Sequence, residues 1–258
     1  MSPVGLQRVV VRMLYDPAFA AQIYSDAPML ELSAADRAML RAAPPAAFRT
    51  DPLRRARALT ALLDEYAASA ALAGLASLDA FFSSPSFHRA IQGRLSLALA
   101  FGAWVEHAAG PVARLERAIA ATRRQQPPRP GPALRWATAP HLHPLTVPGN
   151  TLAAYQILRA RLGPDPARAL AERPPRVHDL PAPQGVEHLL IERGESGEIG
   201  VGGCDEALAE LLRAAMGGRA PEWLLAEAIR LGAEPGEAPD LLRGLLDDRL
   251  LIEVPAAG

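Results

Sequence analysis

The chain has 258 residues and a formal net charge of −1; half of its residues are hydrophobic and only 5% are aromatic. Ala and Leu dominate the apolar set and favour helices over strands, so the composition predicts a mainly α protein. The sequence has no lysine and a single cysteine, Cys204, which excludes a P-loop lysine, Schiff-base chemistry, an intrachain disulfide and a thiolate metal cluster.

Residues 1–125 predict a helical bundle. Apolar residues recur at helical spacing over 6–14. Further helices are expected to begin after the capping residues Asp16, Ser33 and Asp51. A last helix is expected over 112–124, after the break at Gly110-Pro111.

A long apolar helix is expected between Ser84-Pro85 and His107. His88 and Gln92 lie four residues apart on this helix and therefore share a face. That face is expected to line a cavity or an interface with a partner protein. The alternative is that His88 is a satisfied core histidine.

Residues 126–185 contain 13 of the 25 prolines. This composition predicts a linker that wraps over a surface, because proline interrupts regular structure. One helix is expected within it, over 152–162, capped by Asn150 or Thr151. Residues 135–147 are expected to supply one extended strand.

Residues 186–258 predict a small α+β module. Strands over 186–192 and 198–201 would form a hairpin. Three helices follow, the first capped by Asp205, the second beginning at Pro221 and the third over 240–248, and a last strand closes the module at 250–254. A hairpin with three helices is the winged-helix pattern, which is normally associated with DNA.

The charge of this module argues against DNA as its ligand. Residues 181–258 contain six arginines and fifteen acidic residues, a net charge of −9, whereas residues 1–180 carry a net charge of +8. A DNA-binding face needs Arg or Lys to meet the phosphates of a duplex. We therefore predict that the module binds no nucleic acid and that its ligand is a peptide.

Three patterns resemble sites for a metal, a dinucleotide, and phosphate or an acidic partner, and each has a simpler structural interpretation. His141 and His143 would place two imidazoles on one strand face, but no acidic residue lies nearby in sequence and prolines flank the pair. Gly200-Val-Gly-Gly lacks the third glycine and the βαβ unit of a dinucleotide loop, and is typical of a strand-to-helix turn with positive φ. Arg54-Arg55-Ala-Arg57 is typical of a solvated face. The sequence thus predicts no catalytic residue, metal site or cofactor in this chain.

Residues 187–252 resemble the RiPP recognition element, the winged-helix module typified by the peptide chaperone of pyrroloquinoline quinone biosynthesis. The matching features are the hairpin, the helix that begins Asp205-Glu-Ala-Leu-Ala-Glu-Leu-Leu, and Leu-Leu-Asp-Asp-Arg-Leu-Leu-Ile at 245–252. The resemblance implies that a leader peptide adds a strand to the edge of the third strand and packs against the third helix. The peptide-binding residues would then be Glu198, Ile199 and Val201 on the edge, and Leu242, Leu245 and Leu246 on the groove wall.

The helical front carries a second resemblance. Ser-Ser-Pro-Ser-Phe-His-Arg-Ala at 83–90 and Leu-Ala-Leu-Ala-Phe-Gly at 97–102 are similar to partner proteins of multinuclear non-heme iron oxidases, including the methanobactin-type partner. The resemblance implies an accessory subunit without a cofactor of its own, in a heterodimer with a TIM-barrel oxidase that keeps the iron. This subunit would hold the precursor peptide while the oxidase modifies its cysteines. His88 and Gln92 would then lie at the interface with the oxidase.

Two other classes stay open. The first is a winged-helix transcriptional regulator, for which the discriminating feature is the charge of the third helix. This helix contains one basic residue, Arg243, and three acidic residues, Asp240, Asp247 and Asp248. The second is an enzyme that uses His88, Gln92 or the pair His141 and His143. The N-terminal residues lack signal-peptide features and the longest apolar run, 95–105, is too short to span a bilayer, so we expect a cytoplasmic protein with no membrane partner.

Overall fold

The computed structural model describes residues 3–26, 32–48, 52–126 and 134–255. Within these residues the chain is mostly helical with small antiparallel sheets, which confirms the predicted mainly α class. The helices are α1 (Pro3–Tyr15), α2 (Pro17–Tyr24), α3 (Ala34–Ala42), α4 (Pro52–Glu65), α5 (Ala67–Ala73), α6 (Leu75–Ala80), α7 (Pro85–Gly93), α8 (Leu97–Arg124), α9 (Thr151–Leu162), α10 (Pro166–Glu172), α11 (Glu206–Ala215), α12 (Pro221–Arg230) and α13 (Ala238–Asp247). The strands are β1 (Leu134–Thr138), β2 (Leu142–Pro148), β3 (Val186–Arg193), β4 (Ile199–Gly203) and β5 (Leu251–Pro255).

The chain folds into two compact units. The first contains Met1–Ala113 and Ile157–Asp179, and the second contains Arg114–Gln156 and Leu180–Gly258. This division differs from the predicted succession of a bundle, a linker and a C-terminal domain, because α8 and α9 each continue from one unit into the other. The predicted linker contributes α10 to the first unit and β1 and β2 to the second.

The core of the first unit contains a cluster of aromatic rings. Phe81 meets Phe101 edge-on with 5.1 Å between ring centroids, and meets Phe87 in the same way at 5.6 Å. Tyr66 meets Phe101 edge-on at 5.2 Å, and all four side chains are fully buried. Edge-to-face pairs of this kind contribute about 0.5–1.5 kcal/mol each beyond their buried area.

Of the three helix caps predicted at Asp16, Ser33 and Asp51, two are present and one lies outside the described residues. The Asp16 carboxylate accepts a hydrogen bond from the Phe19 N–H at 3.0 Å, and the Ser33 hydroxyl accepts one from the Asp36 N–H at 3.1 Å. Each bond satisfies an N–H group that has no partner within the helix. The predicted cap at Asp51 is the one outside the described residues.

The predicted continuous helix up to His107 is wrong, because the chain breaks between α7 and α8. Arg94 adopts a left-handed conformation with φ of 51°, and the Leu95 N–H donates to the Ala90 carbonyl at 2.9 Å. Ser96 then caps α8 by accepting from the Leu99 N–H at 3.4 Å. Ser96 is the start signal that sequence reasoning missed, whereas the left-handed residue that ends α7 is Arg94, a residue type that does not mark a helix end.

Proline-rich residues 134–148 form two strands, where one was predicted. β1 pairs antiparallel with β5, and β2 pairs antiparallel with β3. The Arg193 N–H donates to the His141 carbonyl at 2.8 Å, so odd-numbered residues of this segment bond to β3. Pro144 and Pro148 have the opposite phase and turn their ring nitrogens away from β3, where proline removes no ladder hydrogen bond.

The second unit is built around the three-stranded sheet, in the order β2-β3-β4. On one face, Leu189 and Ile191 of β3 pack against Leu115 and Ile119 of α8. On the other face, Leu190 packs against the core that α11, α12 and α13 share. The predicted hairpin, the three helices and the closing strand all lie in this unit, but the closing strand β5 pairs with β1 and is not part of the three-stranded sheet. Strand β4 is at the edge of that sheet.

Candidate functional site

Strand β4 has one bonded side and one free side. The Cys204 N–H donates to the His188 carbonyl and the Gly194 N–H donates to the Glu198 carbonyl, both at 2.9 Å, so even-numbered residues of this segment face β3. The odd-numbered residues point their backbone N–H and C=O groups away from the sheet: Ile199, Val201 and Gly203. In the part of the chain that the structure describes, no strand pairs with this edge.

The opposite edge of the sheet is formed by β2. Its outward-facing positions include Pro144 and Pro148, which have no N–H to donate. A strand added at β2 would therefore meet an interrupted row of donors, whereas β4 presents an N–H at every outward position. Proline on an edge strand blocks strand pairing, so β4 is the edge better suited to accept another strand.

The two faces of β4 differ in side-chain content. Ile199 and Val201 pack against the α8 side of the sheet. Gly200 and Gly202 lie on the other face, where a Cβ atom at either position would meet no atom within 4 Å. The predicted turn with positive φ is wrong at these glycines, because neither has a positive φ and both lie within a regular strand.

Glu198 immediately precedes β4 and is exposed. Its carboxylate accepts a hydrogen bond from the Ser196 hydroxyl, and this bond is the main cause that lowers the pKa of Glu198 below its ordinary value. Glu198 therefore carries a negative charge at neutral pH at one end of the free edge. Asp205 and Glu206 follow at the other end and are also exposed.

The three leucines predicted to form a groove wall on α13 do not share one surface. Leu242 and Leu245 are only 2% and 7% exposed and belong to the helical core. Leu245 also lines a cavity of about 300 Å³ between α11, α12 and α13, while Leu242 and Leu246 line another, of about 360 Å³, beside Trp136. Of the three, Leu245 is the residue whose cavity is also lined by Asp205, two positions beyond β4.

Sequence reasoning missed two further residues of the cavity that contains Leu245. Leu208 of α11 and Leu241 of α13 both line it, and Leu241 is 45% exposed. Leu241 and Leu245 are four residues apart, so they lie on the same helix face, whereas Leu242 lies about 100° away. This spacing was the signal in the sequence that separates the two faces of α13.

His88 and Gln92 lie in one cleft of about 200 Å³ in the first unit. The same cleft is lined by Gln7, Arg8 and Val11 of α1, and by Ile91 and Arg94 at the end of α7. None of these lining residues is acidic. The shared face of His88 and Gln92 follows from their spacing, but the contribution of α1 had no signal in the sequence.

The remaining histidine and cysteine candidates have different surroundings. His143 is largely buried, and this burial, followed by the nearby charge of Arg117, lowers its pKa, so its imidazole is neutral at pH 7. His141 lines a polar cleft with Glu192 and Asp248. Burial, followed by the charge of Asp205, raises the pKa of the Cys204 thiol, which is therefore protonated at pH 7. Among the described residues, no three His, Cys, Asp or Glu side chains are grouped to hold a metal ion.

Comparison of the chain with protein-family models and with curated proteins finds no match in either set. In the described ranges, no helix combines the length and apolar character that crossing a bilayer requires. The free edge of β4 and the cavities near it are therefore interpreted from their own geometry.

Proposed function

We propose that this chain is a non-catalytic recognition subunit that binds the leader of a ribosomally made precursor peptide. The leader adds as a fourth strand to the edge of β4, and the core of the peptide is presented to a multinuclear non-heme iron oxidase that modifies its cysteines. Holding the leader raises the local concentration of the core at the active site of the oxidase.

The observation that carries this proposal is the free edge of β4. Three successive outward positions, at Ile199, Val201 and Gly203, offer backbone donors and acceptors without a strand partner in the described residues. Strand addition takes its affinity from such main-chain groups and its specificity from pockets for alternate side chains. The apolar cavity lined by Leu208 and Leu241 is a candidate pocket for one of these side chains.

The iron in this proposal belongs to the oxidase, a TIM-barrel protein that forms a heterodimer with this chain. The first unit provides a candidate surface for the oxidase in the cleft that contains His88 and Gln92. Its two arginines, Arg8 and Arg94, suit an acidic or hydrogen-bonding surface on the partner. This assignment of partners rests on the family resemblance and is tested separately from peptide binding.

Gly203→Pro is the sharpest test of strand addition. The substitution removes an outward N–H, breaks no bond to β3, and places its Cβ where no atom lies within 4 Å. Because one backbone hydrogen bond is lost and the proline ring blocks close approach, we expect the Kd of the leader peptide to rise at least about ten-fold. Fluorescence anisotropy with a labelled leader peptide measures this change.

Gly203→Ala is the matched control, because it adds the same Cβ and keeps the N–H. We expect it to bind the leader as the wild type does. Equal affinity of the proline variant and the alanine variant would show that the leader does not use this edge. The partner assignment fails if the oxidase neither co-purifies with the chain nor modifies the precursor faster in its presence.

A further inference from the structure

We propose that β4 selects an extended segment in which Arg or Lys stands two residues from an apolar side chain. This inference rests on the proposed function, since it requires that the ligand adds as a strand to β4. The chemical class of the ligand follows from two residues of β3, Glu192 and Leu190, which pair with the glycines of β4.

The glycines of β4 give the ligand access to β3. Glu192 is directly opposite Gly200 and Leu190 is directly opposite Gly202, so each pair lies on the same face of the sheet. With no side chain at Gly200 or Gly202, nothing on β4 separates a ligand side chain on that face from β3. An added strand would lie about 4.8 Å from β4 and about twice that from β3, a gap that long side chains can span.

The two β3 residues differ in chemistry. Glu192 is exposed, and no ion pair to it is found among the described residues. Leu190 is half-buried and packs against the helical core. Because opposite charges attract and apolar side chains pack together, a ligand side chain opposite Gly200 would be basic and one opposite Gly202 would be apolar. Strand side chains on one face are two residues apart, which gives the spacing of the predicted pattern.

The charges around the edge also favour a basic ligand. Glu198 lies at one end of the edge, and Asp205 and Glu206 lie at the other. Of the nearby cations, Arg193 points to the other face and donates to the Arg123 and Gln125 carbonyls at 3.2 Å.

Other basic side chains lie in the same region, and none of those described forms an ion pair with Glu192. Arg213 donates to the Thr146 hydroxyl, and the His188 ring is 3.8 Å from the Glu206 carboxylate. Arg123 and Arg249 line the polar cleft that also contains Glu192. Because none of these side chains pairs with Glu192, an Arg or Lys of the ligand would supply its ion-pair partner.

Selection from a displayed library of random twelve-residue peptides on the full chain tests the inference. We expect the recovered peptides to carry Arg or Lys two positions from Leu, Ile or Phe. For a recovered peptide, replacing its basic residue by Glu should raise Kd on the wild type about two- to five-fold, as for an exposed ion pair. On the Glu192→Arg variant the preference should reverse.

Two further variants sharpen this test. Gly202→Val fills the space in front of Leu190 and should remove the apolar preference. Glu222→Arg, an exposed residue of α12, changes the net charge by the same amount as Glu192→Arg and should leave the preference intact.

The outcomes separate the inference from the proposed function. If peptides are recovered, are lost with Gly203→Pro, and yet show no basic preference that Glu192→Arg reverses, the inference is overturned and strand addition stands. If Gly203→Pro recovers the same peptides as the wild type, strand addition fails, and the inference fails with it. If the wild type enriches no peptide, both are overturned.

Discussion

At the scale of single residues, Gly102 of α8 has no room for a side chain. A Cβ there would lie 2.5 Å from the Tyr66 hydroxyl oxygen and 2.7 to 2.8 Å from two atoms of its ring, and Tyr66 is fully buried. We therefore predict that Gly102→Ala lowers the free energy of unfolding by about 1–2 kcal/mol, since overpacking outweighs the gain in helix propensity. Thermal or urea unfolding measures the change.

Gly244→Ala is the control for this prediction. Gly244 is also inside a helix, α13, but a Cβ there would meet no atom within 4 Å. This variant should be more stable than the wild type by about 0.5–1 kcal/mol, because alanine restricts the unfolded chain more than glycine does. A stabilised Gly102→Ala protein would contradict the close contact with Tyr66.

The glycines near β4 show what residue patterns could and could not predict. The Gly-rich stretch was recognised as unsuited to a dinucleotide, but its glycines were expected in a turn. Whether a glycine serves a turn or a strand depends on its backbone conformation and its pairing. Gly200 and Gly202 have no positive φ and pair with Glu192 and Leu190 of β3, and no local pattern in the sequence encodes that conformation.

At the scale of elements, Arg161 of α9 anchors the irregular segment 173–179 by hydrogen bonds. Its guanidinium donates to both carboxylate oxygens of Asp179, at 2.8 and 2.9 Å, and to the Arg176 carbonyl at 2.6 Å. We predict that Asp179→Asn speeds amide hydrogen exchange in this segment, because the bidentate pair is lost. Glu172→Gln, which removes only the pair with Arg168 inside α10, should leave that exchange unchanged.

The contact between Arg161 and Asp179 also predicts that hydrogen exchange in this segment depends on pH. The hydrogen bond from Arg161 is the main cause that lowers the pKa of Asp179 below its ordinary value. A lowered pKa in the folded state means that the contact contributes fully above the ordinary Asp pKa of about 3.9, and is lost as the pH falls through the lowered value. At neutral pH, exchange in 173–179 should therefore be slower in the wild type than in Asp179→Asn, and the two proteins should become alike only in acid, compared at the same pH. Identical exchange in the wild type and in Asp179→Asn at pH 7 would contradict a stabilising contact between Arg161 and Asp179.

The strands of the proline-rich segment mark the limit of element prediction. The hairpin β3–β4 and the three helices that follow were predictable, since each has local turn, cap or periodicity signals. β1 and β2 were not, because proline content was interpreted as a linker and their partners, β5 and β3, lie far along the chain. The phase of Pro144 and Pro148 makes β2 compatible with the sheet, but that phase has meaning only once β3 is known to be its partner.

At the scale of the whole molecule, the division into two units could not be predicted from composition. The change in composition near residue 126 coincides with none of the three boundaries between the units, which fall within α8, within α9 and after Asp179. Charge was the more useful signal. It separates a basic part, residues 1–180, from an acidic one, and it led to the expectation of a peptide ligand.

The acidic charge also gives the last prediction, which concerns DNA. On α13, the helix that would enter the groove of a duplex, Arg243 is paired with Asp240 at 2.7 Å, and Asp247 and Asp248 follow. Residues 181–258 contain six arginines and fifteen acidic residues, so this part of the chain has little positive charge with which to neutralise phosphates. We therefore expect a labelled duplex of about 20 base pairs to bind, if at all, with a Kd weaker than about 10⁻⁴ M at physiological salt. Tight binding that weakens steeply with salt and is lost in Arg243→Gln would instead identify a transcriptional regulator, whereas binding that persists in that variant would show that the contact does not depend on Arg243.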